Sequence, residues 1–269
     1  LSRIAACMQA LQTQGRKALI PYIVAGDPNP DFTLPLMHQL VADGADILEL
    51  GIPFSDPMAE GPVIQLAHER ALEYNISLRD ALAIVARFRE TNQHTPVVLM
   101  GYANPVVVMG FEQFAQAAAK AGVDGLLTVD MPPEEAGALN TALKASNIDS
   151  IFLLAPTTTA ARIKHIAELA TGYLYYVSLK GVTGAGHLDA DSVRNKLTEI
   201  KAITNLPVMV GFGIKDAESA STISRLAEGV VVGSALVQKA VELSQQNDSN
   251  AIAGASALIA DMRQAMDAV

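Results

Sequence analysis

Short apolar runs recur along the chain with helical patterns between them, and this alternation constrains the fold more than any single motif. The runs are ALIPYIVAG (18–26), DILELGIP (46–53), PVVLMGYA (96–103), GLLTVDMP (125–132), SIFLLAP (150–156), YLYYVSL (173–179), PVMVGFGI (207–214) and GVVVGSA (229–235). Segments with helical spacing, such as FEQFAQAAAKAG and AARIKHIAELA, separate them. Near-continuous apolar strands are buried on both faces, so the sheet is expected to be parallel with helices outside. Eight such units predict an α/β fold, a closed (β/α)8 TIM barrel. An open doubly wound sheet would carry fewer strands and a dinucleotide fingerprint, and neither G-x-G-x-x-G nor G-x-x-x-x-G-K-[ST] occurs. The interval between the second and third strands is long enough for an extra helix, GPVIQLAHERALEY before SLRDALAIVARFRE. No low-complexity linker interrupts the pattern, and residues 1–269 read as one barrel domain.

Charge and cysteine content narrow the partners. A net charge of -9 argues against a polyanion such as nucleic acid, while leaving room for an amide-lined pocket that holds a small phosphate. The single cysteine, Cys7, allows no internal disulfide and fits a reducing compartment. Arg16-Lys17 before ALIPYIVAG lacks the cleavage site of a signal peptide. The longest stretch free of Asp, Glu, Lys and Arg, Thr91 to Phe111, is broken by Gly101, Asn104 and Pro105, which argues against a membrane span. A cytoplasmic chain is expected.

In a barrel of this kind the active site stands at the C-terminal ends of the strands. Those ends read Asp27, Glu49, Tyr102, Asp130, Pro156, Lys180, Gly211/Gly213 and Gly233-Ser234. Glu49 lies inside an apolar run, flanked by Leu48 and Leu50, where a charge is costly unless paired, neutralised or used. Pointing inward, it would have a raised pKa and could exchange a proton near neutral pH; otherwise it is a structural carboxylate bound to backbone amides. Glu60, in the Pro- and Gly-rich loop that follows, reads by itself as a solvated surface charge, and Asp56 as a loop-ordering or N-cap residue. The GFG and GS turns after the seventh and eighth strands fit either tight βα turns or a phosphate site, with Ser234 capping the helix it opens. KGVTGAG (180–186) suits either a lid or a surface loop. The five histidines show no ligand spacing, so a metal site has no support. Lys180 reads as either a Schiff-base lysine or a solvated one.

LELGIPFSDPMAEGPVIQ, GVDGLLTVDMPPEE, YYVSLKGVTGA and VGFGI together resemble the signatures of tryptophan synthase α subunits, and the likeness runs from PYIVAGDP to GSALV. The resemblance implies the barrel already reached from periodicity, and a retro-aldol cleavage of indole-3-glycerol phosphate to indole and glyceraldehyde 3-phosphate. C3 of indole must gain a proton before the bond breaks, and the side-chain hydroxyl must lose one as the aldehyde forms. Glu49 matches the residue that shuttles both. Glu60 matches the carboxylate that accepts the indole N–H and stabilises charge on the ring. The resemblance places Tyr22, Met100, Leu127, Tyr175, Thr183 and Phe212 around the substrate, and Gly184, Gly213, Gly233 and Ser234 at the phosphate. Asp56 and Thr183 would link two loops when the site closes. It implies an assembly of two α and two β subunits, indole passing to a β subunit that carries pyridoxal phosphate, with no cofactor in this chain. The loops at Pro53–Asp56, Asn104–Pro105 and Met131–Pro133 would face that partner.

One departure stands out: the family has aspartate where this chain has Glu60, one methylene longer, with roughly 1.5 Å more reach. That keeps open a non-catalytic α-like subunit that binds ligand and activates a β partner. A Schiff-base aldolase at Lys180 is the other alternative.

Overall fold

The structure, a computed structural model, describes residues 2–178, 189–246 and 249–268. Among them, parallel strands close into a barrel in chain order. They are β1 (Ala18–Val24), β2 (Leu48–Gly51), β3 (Val97–Gly101), β4 (Gly125–Thr128), β5 (Asp149–Leu154), β6 (Leu174–Val177), β7 (Val208–Gly211) and β8 (Gly229–Val232). Each expected run coincides with one strand, β5 starting one residue before its run at Asp149. Most strands are shorter than their runs, because the last residues of a run leave the ladder and enter the loops above it. Pairing of β1 with β8, from Ala18↔Gly229 to Pro21↔Val232, completes the closure.

Period-two alternation sorts side chains between the barrel interior and the helix layer. In β1, Ala18, Ile20, Tyr22 and Val24 pack inside with Val98, Met100, Leu127, Tyr173 and Tyr175. Leu19 and Ile23 point outward into the larger core shared with the helices. The same rule sends Leu48 and Leu50 outward, which leaves Glu49 facing inward.

The long interval after β2 holds two helices, Pro62–Glu73 and Leu78–Arg89, the second started by a Ser77–Asp80 capping box. Three further helices stand outside the strand–helix alternation: Arg3–Thr13, Ala103–Met109 and Ala251–Asp267. The first plugs the base of the barrel with Ile4 and Leu11. It is tied there by Arg3 to Asp124 (2.8 Å) and by Ser2 Oγ, which donates to Asp149 (2.6 Å). Asp124 also takes a 2.6 Å bond from buried Arg89. These charged groups sit at the N-terminal strand ends and leave the opposite end for chemistry. No helix among the described residues is long and apolar enough to cross a membrane.

Candidate active site

A cavity of about 340 Å³ opens at the C-terminal ends of the strands. Tyr22, Ile64, Met100, Tyr175, Phe212, Ile214 and Val231 supply apolar wall, and Glu60, Gly61, Pro62, Gly213, Gly233 and Ser234 its polar and backbone edge. A larger hollow, about 600 Å³, lies at the base around Ser2, Asn140, Asp149 and Thr171. The convergent aromatic side chains and the two carboxyls raised to about 7, Glu49 and Glu60, stand at the upper end.

Two glycines make the aromatic walls possible. Tyr22 Oη lies over the backbone of Gly51, and the Tyr175 ring lies over Gly211, so closely that a Cβ at either position would stand well inside contact distance of the hydroxyl. Phe212 follows in the left-handed region (φ 70°) with Gly213 behind it (φ 78°). A bulky residue in that conformation is strained and persists only where its surroundings hold it. Here Ser178 Oγ lies 2.9 Å from the carbonyl oxygens of both Gly211 and Phe212. The turn thereby presents Phe212 at the cavity mouth, where it is 36% exposed.

Glu49 is fully buried. Tyr173 Oη donates to its Oε1 at 2.6 Å, and its Oε2 has no hydrogen-bond partner among the described residues. Desolvation lifts the carboxyl to about 7, with the Tyr173 bond opposing and the charge of Glu60 adding to the rise. Glu49 is therefore neither a solvated charge nor a fully paired one. It is a half-satisfied carboxyl that can hold or release a proton near neutral pH. It lies behind the cavity lining, beside Tyr22 in the β1–β2 register.

Glu60 departs from the surface-charge reading. Its loop folds back over the barrel, the residue is half-buried and lines the cavity, and desolvation lifts its carboxyl to about 7 as well. The carboxyl makes no hydrogen bond with any described residue. Tyr102, fully buried at the end of β3, braces this loop by accepting the Ala59 N–H at 3.1 Å and stacking on Phe54 at 5.0 Å. Asp56 is exposed and takes a 2.6 Å bond from Ser55 Oγ.

At the other edge, Gly233 is the N-cap of helix Ser234–Gln245 and Ser234 its first residue, with no side-chain cap. This corrects the expectation that Ser234 caps the helix. The serine enters one position too late; Leu236 N–H donates to the Gly233 carbonyl at 2.9 Å, and the Ser234 and Ala235 amides make no backbone bond among the described residues, a start at which an anion could be held. Thr183, Gly184, Lys180 and the whole 180–187 segment lie outside the described residues. Leu127 is fully buried in the same inner cluster as Tyr22, Met100 and Tyr175, behind the residues that line the cavity. Of the other strand-end residues, Asp27 pairs with Arg70 at 2.6 and 3.2 Å, and Asp130 accepts the Ala103 N–H at 2.7 Å. Both are structural. No group of three or more His, Cys, Asp or Glu that could hold a metal occurs among the described residues. Ile64, Tyr173 and His68 belong to the site although the strand-end reading omits them. Tyr173 shares a face with Tyr175 two residues on, which was a readable signal; His68 and Ile64 lie on a helix whose apolar face gave none.

Residues 8–267 match the sequence profile of a family described as tryptophan synthase alpha chain. The chain is 60% identical over 267 residues to the tryptophan synthase alpha chain of Thioalkalivibrio sulfidiphilus, covering 99% of this chain and 100% of that one. It is 56% identical over 269 residues to that of Dechloromonas aromatica, covering 100% and 99%. Among solved structures, tryptophan synthase subunit alpha from Legionella pneumophila superposes with a TM-score of 0.93 at 46% identity, over 100% of both chains. A chain of M. tuberculosis tryptophan synthase gives 0.87 at 32% identity, over 99% of this chain and 100% of that one.

Proposed function

The chain belongs to the tryptophan synthase alpha chain family, and from that premise we propose how its own residues perform the reaction. It is a lyase that cleaves indole-3-glycerol phosphate to indole and glyceraldehyde 3-phosphate in tryptophan biosynthesis. The observation that carries the mechanism is the pair of carboxyls, Glu60 lining the aromatic-walled cavity and Glu49 behind that wall beside Tyr22, both raised to about 7.

The working form has one proton on the pair. Glu49, protonated, gives its proton to C3 of the indole ring. Glu60, ionised, accepts the indole N–H and stabilises the positive charge that develops on the ring. The bond from C3 to the side-chain carbon then breaks, the adjacent hydroxyl becomes the aldehyde, and Glu49 takes the hydroxyl proton. It ends as it began. Tyr173 holds Glu49 at one oxygen and leaves the other free to make these transfers. Tyr22, Met100, Tyr175 and Phe212 form the slot for the flat ring, with Leu127 backing it. Gly213, Gly233 and Ser234, with Gly184, hold the phosphate at the uncapped helix start. Thr183 contacts the substrate and pairs with Asp56 on closure. We read residues 1–269 as one barrel domain, which closure of the barrel in chain order supports.

Family membership implies a β-subunit partner. We propose that two α and two β chains assemble, that the partner carries pyridoxal phosphate, and that it docks on the loops after β2, β3 and β4. Exposed Met58, Val107 and Val108 on that face support the docking site. A cytoplasmic setting fits the lone cysteine.

Two outcomes follow. First, kcat/KM should be bell-shaped with a maximum near pH 7. Below it Glu60 gains a proton and loses its acceptor role; above it Glu49 loses the proton it must donate. The two limbs belong to the coupled pair rather than to either residue. A flat profile between pH 5 and 9 contradicts this. Second, Glu60→Gln removes the charge facing the ring and should lower kcat by about thirtyfold, the effect of one hydrogen bond to a charged group. Full activity in that variant rules out Glu60 as the indole partner.

A further inference from the structure

The mechanism leaves His68 unused, although it is 1% exposed and lies directly beneath the loop that carries Glu60. Its Nδ1 accepts the Phe54 N–H at 3.0 Å. A backbone amide can only donate, so Nδ1 carries no proton, and the ring is fixed as the neutral tautomer protonated at Nε2. That nitrogen lies 3.5 Å from Tyr22 Oη in the cavity wall. One imidazole on helix Pro62–Glu73 therefore touches the loop after β2 at one nitrogen and the substrate slot at the other. Burial pushes the ring down to about 4, so it stays neutral throughout the working range.

The carboxyl of Glu60 makes no hydrogen bond with any described residue, so among them the backbone of its loop sets where it stands. Among the described residues that loop is fastened from outside at three places: Phe54 to His68, Ala59, next to Glu60, to Tyr102, and the Glu60 carbonyl oxygen to Gln65 Nε2 at 2.9 Å. The Phe54 ring stacks on Tyr102, so the first two fastenings share a brace. The Phe54 bond is the one that ties the start of the loop to the side of the slot formed by Tyr22, since the other two hold its far end.

We propose that His68 is a positioning residue for the cleavage reaction: by accepting the Phe54 N–H and donating toward Tyr22, it registers the Glu60 loop against the wall of the indole slot. This rests on the reading of Glu60 as the indole partner, and the test separates the two. It compares steady-state cleavage of indole-3-glycerol phosphate by wild type, His68→Leu, His68→Asn, His68→Gln, Glu60→Gln and the double variant His68→Leu/Glu60→Gln, with circular-dichroism melts on each. Misplacement of a reacting group by a fraction of an ångström to 1 Å costs up to about a hundredfold, so His68→Leu should lower kcat by about tenfold with KM changed less than about twofold. The amide oxygen of Asn falls where Nδ1 lies and can accept the Phe54 N–H, so His68→Asn should keep kcat within about threefold of wild type. Gln places its amide near Nε2 and should lose as much as Leu. In the Glu60→Gln background, His68→Leu should cost no more than about twofold, because the group it positions is gone.

The same factor lost in both backgrounds means a general packing role and overturns the proposal. Unchanged kcat in His68→Leu, with Glu60→Gln impaired, overturns it while leaving Glu60 as the indole partner. Full activity in Glu60→Gln removes that reading, and the proposal with it. Where His68→Leu melts too early to assay, the remaining pair decides: Asn above Gln supports the proposal, and Gln equal to or above Asn overturns it.

Discussion

Replacing Glu49 by glutamine should lower kcat for cleavage by about a thousandfold, the mid-range loss for a group that both gives and takes a proton. The variant is informative because it preserves shape. Tyr173 Oη can still donate to the side-chain oxygen, as it does to Oε1 at 2.6 Å, so a loss of rate reports the missing proton and not a collapsed wall. Stability should move the other way. The folded carboxyl titrates at about 7 against an ordinary value of 4.5. A group raised on folding contributes fully below its unfolded pKa, and that contribution is lost as pH rises through the folded one. The stability of Glu49→Gln relative to wild type should therefore grow by about 2–3 kcal/mol between pH 5 and pH 8. Denaturant melts at the two pH values check this. A gap that stays constant, or narrows with rising pH, would mean that Glu49 is not held as a desolvated acid.

Gly211→Ala should lower kcat/KM by about a hundredfold, through the geometry of the slot rather than through any lost chemical group. The Cβ it adds would stand inside contact distance of Tyr175 Oη, Cζ and Cε1. Either that ring swings into the cavity of about 340 Å³ or β7 moves away from β6. Either way the indole slot changes shape, so KM should rise as kcat falls. Gly137→Ala is the control, since a Cβ there meets nothing within 4 Å and should leave the kinetics unaltered. Wild-type kinetics in Gly211→Ala would show that Tyr175 does not wall the substrate slot.

Glu49 and Glu60 show what was legible in sequence and what was not. The inward face of Glu49 follows from period two, because Leu48 and Leu50 must point into the helix layer. The eight strands and the paired helices after β2 follow from the same local signals. Glu60 reads as solvated because its neighbours are turn formers. Its loop is held back over the barrel by Tyr102 and His68, which lie 42 and 8 residues away in the chain and leave no local periodicity. The partner of Glu49 is further still: Tyr173 lies 124 positions along the chain from the carboxyl it binds. Ser234 shows the smaller kind of error. Both Gly233 and Ser234 suit a cap, and only the backbone path decides that Gly233 holds that position.

Single-turnover cleavage of indole-3-glycerol phosphate, with and without a tryptophan synthase β subunit, tests the central claim most directly. A working Glu49–Glu60 pair releases one indole per chain in both conditions, faster when the β subunit is present. Substrate that binds yet yields no indole in either condition would contradict catalysis by this pair and make the barrel a binding subunit.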